Sequence, residues 1–195
     1  MGAEFLKSAF EKAWERAEKI SIPDEKIKEL ELLSEGEKLA AAFLKDENFD
    51  LLGELSKFDA SSQRIIIKGA ENTFLKNIVL PQTLGMQKGC ERALEGIKLL
   101  KRDKVSIENL VEEIKNLFLY YQEAVKQAHA KLRKEFEIQI TRALQEQLGT
   151  PVKVKATDIE QNPEFREKWH QVLRNINAEY EKILDQHKKE ITNIM

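Results

Sequence analysis

Residues 107–148 read IENLVEEIKNLFLYYQEAVKQAHAKLRKEFEIQITRALQEQL, 42 consecutive positions without a proline or a glycine. Apolar side chains recur in steps of three and four at Val111, Ile114, Phe118, Tyr121, Val125, Ala128, Leu132, Phe136, Ile140 and Ala143. That period belongs to one face of an α-helix. With Ser106 as the expected cap and Gly149 as the stop, the helix would be roughly 63 Å long at about 1.5 Å per residue. The steps turn into a run of fours near Leu132, as in a coiled coil with an insertion that relaxes its supercoil.

A second long helix is predicted from Asn162 as cap and Pro163 as first helical residue to near Met195. Its stripe is Phe165, Trp169, Val172, Ile176, Tyr180, Ile183, His187, Ile191 and Ile194. The pair predicts a long antiparallel, coiled-coil-like hairpin over 107–195. The connector 149–161 exceeds the two to eight residues usual between bundled helices. It holds the chain's only strand-like alternation, Val152, Lys153, Val154 and Lys155, which is the expected place for a protein partner to add a strand.

Upstream, residues 1–106 read as further helices packing on the hairpin in one continuous domain. The first is expected over 3–20, carrying Phe5, Phe10 and Trp14 on one side. Pro23 starts the next, which reaches about Lys45. Ser34-Glu35-Gly36-Glu37 matches a capping box that could break it, but one continuous helix is expected. A short helix at 49–57 follows, then one capped by Asp59 and running to about Leu80, then one over 82–102. The last places Gly85, Gly89, Ala93 and Gly96 in a strip of small residues. Glycine in a helix interior costs about 1 kcal/mol relative to alanine, so the strip predicts an unusually close neighbouring helix. The fold class is all-α, a bundle of about five to six helices.

Composition agrees with solvated helices. Of 195 residues, 34% are charged and 42% hydrophobic, and Lys plus Arg at 32 nearly balances Asp plus Glu at 34. No whole-chain field favours nucleic acid or an anionic membrane. The single Cys90 excludes a disulfide framework within the chain. Glu4 and Lys7 interrupt the apolar region a signal peptide would need, no apolar run reaches the roughly 18 residues of a membrane span, and Leu6 stands where a myristoylation motif wants Ser or Thr. The expected compartment is the cytoplasm.

Candidate chemistry is sparse. Glu167 and His170 form an E-x-x-H, the spacing of di-iron bundles, but such centres need the motif twice and this chain has it once. His187 falls on the inward stripe, a boundary position for a group that titrates near neutrality. His129, next to Ala128, is expected to face solvent. Cys90 reads as a small core residue. Ser61, Ser62 and Ser106 read as helix-starting residues, since no G-x-S-x-G surrounds them.

Basic residues from Arg64 to Lys104, above all Lys98, Lys101, Arg102 and Lys104, could make a phosphate-binding face. The stronger reading of their positions near helix C-termini is that they complement the helix dipole, so nucleic acid is the secondary expectation. The sequence therefore predicts a non-enzymatic interaction protein without cofactor or metal, self-associating as a homodimer through its long helices and having no membrane contact.

Overall fold

The computed structural model describes residues 23–148 and 155–194, and every regular element among them is an α-helix. The predicted helix over 3–20 and the segment Val152–Val154 lie outside the described residues. Seven helices follow one another: α1 Asp24–Lys45, α2 Leu51–Leu55, α3 Ala60–Asn77, α4 Leu84–Leu100, α5 Lys104–Leu148, α6 Ala156–Gln161 and α7 Pro163–Asn193. Among the described residues the count exceeds the expected five to six; two of the seven are short, α2 with five residues where a short helix was expected over 49–57, and α6 with six in the connector.

Local chemistry sets most helix ends. The Asp59 carboxylate accepts from the backbone N–H groups of Ser61 and Ser62 at 2.9 and 3.1 Å and opens α3. Asn162 Oδ1 accepts from Glu164 and Phe165 N–H at 2.8 and 3.3 Å, with Pro163 the first residue of α7. Each satisfies amides that the first helical turn leaves unpaired. α1 is continuous through Ser34–Glu37, as expected.

Two boundaries differ from the sequence reading by three residues, and those of the helices expected at 49–57 and 82–102 by two. α5 begins at Lys104, and Asp103 rather than Ser106 caps it, its carboxylate accepting from the Ser106 N–H at 3.1 Å and the Ser106 hydroxyl at 2.6 Å. α3 stops at Asn77 instead of Leu80. Pro81 disfavours helical backbone at Leu80, and the peptide before it instead wraps the buried Cys90, whose thiol donates to the Val79 carbonyl at 3.2 Å.

Hydroxyl donors from Ser61 and then Ser62 hold the Asp59 carboxyl well below its ordinary range. A depressed folded-state pKa contributes stability that is present above the unfolded value near 4 and fades as pH falls below it. Acid melts should therefore show Asp59→Ala losing stability relative to the wild type at pH 6, and the difference shrinking as pH falls below about 4, because the carboxyl of the unfolded chain takes up a proton there while the folded one stays ionised.

The interior divides into two cores. The larger joins α1 to α4 with the first half of α5 and the last turns of α7, through Phe43, Ile66, Phe74, Ile97, Ile114 and Ile191 among others. The smaller lies farther along the hairpin, where Leu132 and Phe136 of α5 meet Ile159 of α6 and Phe165 of α7, with no residue of α1 to α4. α5 and α7 run antiparallel between them, as Glu113 faces His187, Tyr121 donates to Asn177 at 2.9 Å and His129 meets Trp169. At about 1.5 Å per residue, the 45 residues of α5 span roughly 68 Å.

The close helix approach falls elsewhere than the strip at Gly85–Gly96. A Cβ on Gly89 would meet nothing within 4 Å, and one on Gly85 only the Thr83 hydroxyl at 4.0 Å. Ala93 and Gly96 are buried, but what sits on Gly96 is the Phe74 ring, not helix backbone. Backbones approach closely at Gly36 of α1 and Gly69 of α3. There an added Cβ would lie 2.0 Å from the Ile66 carbonyl oxygen and 2.2 Å from that of Leu33. Only hydrogen fits at both points.

Candidate functional site

The residues read as a basic face are not gathered into one. Lys101 is buried, 2.8 Å from Glu71 Oε1 and donating to the Ile194 carbonyl at 2.8 Å. Lys104 Nζ donates to the Lys98 carbonyl at 2.6 Å, Lys98 lies 3.6 Å from Glu108, and Lys76 lies 3.9 Å from Glu37. Arg92 lies 3.5 Å from the Phe43 ring centroid and donates to the carbonyls of Phe43, Asp46 and Glu47. Arg102 is exposed. Most of these cations tie elements of this chain together.

Glu167 and His170 are both exposed on α7. His129 departs from the solvent position expected for it: its ring stands edge-on to Trp169 at 4.7 Å and to Phe165 at 5.6 Å, completing the smaller core. Trp169 reaches across the hairpin and supplies a surface that position 129 meets before water does. Cys90 is fully buried, and burial raises its thiol pKa, which opposes nucleophile chemistry. Lys155 caps α6 in extended backbone and is exposed, while the rest of its predicted partner motif falls outside the described residues.

The apolar stripe of α7 is wider than α5 covers. Phe165, Leu184 and Ile191 are buried, but Val172 and Ile176 are half-buried and Ile183 is 43% exposed. These three positions, four and then seven residues apart, share one helix face. Ile183 was expected inside; Leu184, its neighbour in sequence, takes the buried place because the stripe drifts around the helix toward its C-terminal end. On α5, Val125 and Ala128 are likewise half-buried. Helices α1 to α4 put no residue into the core beyond this stretch. Exposed Ile27 and Leu30 form a separate apolar pair near the start of α1, adjoining the undescribed residues 1–22.

The architecture is that of an all-α protein built on a long helical hairpin, and no described helix is long and apolar enough to cross a membrane. Residues 52–193 match the family of unknown function DUF6657, and the chain belongs to that family. The match runs from within α2 to the end of α7, and so takes in the smaller core and the larger core apart from the contribution of α1 and Leu51. No curated protein and no solved structure matches the chain.

Proposed function

We propose that this is a non-enzymatic interaction protein that self-associates as a dimer through the uncovered flank of α7. The carrying observation is the exposure of Ile183 in line with the half-buried Val172 and Ile176, a flank of α7 that the other described helices leave partly open. Fully burying an isoleucine side chain is worth roughly 1.5–3 kcal/mol. In a two-fold dimer each contact occurs twice, so Ile183, with what remains exposed of the half-buried Val172 and Ile176, contributes from both chains. A second copy supplies the matching helix face and the same antiparallel geometry.

Nucleic acid is the weaker reading, because Lys101 and Lys104 are held by Glu71, Ile194 and Lys98 of their own chain. Light scattering on gel-filtered protein should give twice the 22.6 kDa chain mass. Ile183→Glu should weaken dimerisation at least about tenfold, roughly 1.4 kcal/mol, with unchanged helical circular dichroism. A wild-type monomer at high protein concentration would overturn the proposal.

A further inference from the structure

We propose that Glu113, His187 and Glu190 bind a divalent transition-metal cation of the zinc type, clamping α5 to α7 at the base of the hairpin. His187 Nδ1 lies 3.8 Å from Glu113 Oε2 and 3.5 Å from Glu190 Oε2, and one ligand atom from each residue falls within 4.8 Å of the others. Tetrahedral zinc with bonds of about 2.0–2.2 Å holds its ligand atoms roughly 3.3–3.6 Å apart. The widest separation, up to 4.8 Å, needs to contract by about 1.2–1.5 Å. Both glutamate side chains are largely exposed, at 62% and 46%, and are able to make that movement.

The histidine supplies the independent observation. Its Nδ1 is sealed from solvent and has no hydrogen-bond partner, although two carboxylate oxygens face it. With Nδ1 unprotonated, the imidazole and two carboxylates offer three electron-pair donors to one point, a set that a cation between them would satisfy. Gln186 Nε2 donates to the other oxygen of Glu190 at 3.3 Å, orienting the carboxylate with Oε2 toward the histidine. Outer hydrogen bonds of this kind position metal ligands. One imidazole with two carboxylates suits zinc and its neighbours better than magnesium or calcium, which prefer all-oxygen shells. Three protein ligands leave a coordination position open to water.

The pattern in sequence is His187-x-x-Glu190, the reverse order of the E-x-x-H that draws attention at 167–170. Its third member is 74 positions upstream. Only the register of α5 against α7 brings Glu113 into place.

Calorimetric titration of the full-length, tag-free chain with zinc chloride should find one ion per chain with a linked rise in melting temperature. Glu113→Gln, an exposed substitution that spares the core, should weaken binding at least tenfold and remove the zinc-dependent rise. His187→Gln should do the same, and His170→Gln should leave both unchanged. No zinc uptake, uptake indifferent to Glu113→Gln and His187→Gln, or magnesium binding as tightly as zinc would each overturn the assignment. Because all three ligands come from one chain, the expected stoichiometry of one ion per chain is the same whether or not the α7 flank dimerises.

Discussion

Replacing Gly69 by alanine should lower the melting temperature by about 6–12 °C, the shift expected for about 3 kcal/mol in a domain of this size. The new methyl carbon would stand 2.2 Å from the Leu33 carbonyl oxygen and 3.0 Å from its carbonyl carbon, so the obstacle is helix backbone, with no flexible side chain to swing aside. α1 and α3 must then separate, which loosens Ile66, Ala70 and Phe74 together. Alanine gains about 1 kcal/mol over glycine in intrinsic helix propensity, and that gain is too small to offset the overlap. Gly36→Ala should behave alike, since its Cβ would lie 2.0 Å from the Ile66 carbonyl oxygen. Gly89→Ala provides the contrast. With nothing within 4 Å it keeps the propensity gain unopposed and should raise the melting temperature by about 2–4 °C. Calorimetry of the three variants decides the matter; a neutral or stabilising Gly69→Ala would show that the two helices do not touch there.

The contrast among the glycines shows where reading the chain alone reaches and where it stops. Helix identity and most boundaries were legible because they are set by neighbours in sequence: Asp59 before Ala60, Asn162 before Pro163, a three-and-four apolar rhythm through α5. The start of α5 was misread at Ser106, because the cap is Asp103, three residues earlier, and the two side chains act jointly, with the carboxylate accepting from the hydroxyl. Which glycine meets another helix is a tertiary property. The row at 85–96 is conspicuous because its members share one helix, while Gly36 and Gly69 are single residues on different helices whose significance exists only once α1 and α3 cross. The same limit hid the cluster of Glu113 with His187 and Glu190, and it misassigned Lys101, whose neighbours on the chain are basic but whose neighbour in space is Glu71.

Lys101→Met should cost about 3–5 kcal/mol, the loss associated with removing one partner of a buried ion pair. Lys101 and Glu71 side chains are only 7% and 13% exposed, and their charges lie 2.8 Å apart, out of line with a hydrogen bond. The lysine also donates to the carbonyl of Ile194, so a single ammonium joins α3, the turn after α4 and the C-terminal end of α7. Its removal leaves the Glu71 carboxylate without a counter-ion in a site mostly closed to water and takes from the last turn of α7 its bond to the Ile194 carbonyl, with the packing of Ile191 and Ile194 remaining. Glu71→Leu alone should be damaging too, because the ammonium then keeps only the carbonyl. The double variant Lys101→Met with Glu71→Leu should recover much of the loss, since well-packed apolar side chains often replace a buried pair at little or no net cost. Urea unfolding of the four proteins measures the coupling directly as the departure from additivity. Strictly additive losses would mean that the two charges do not interact, and a near-neutral Lys101→Met would mean that the lysine side chain reaches water. Hydrogen exchange adds a spatial readout: the terminal amides of α7 should lose protection in Lys101→Met before those of α3, because the carbonyl bond to Ile194 is the link that α7 alone depends on.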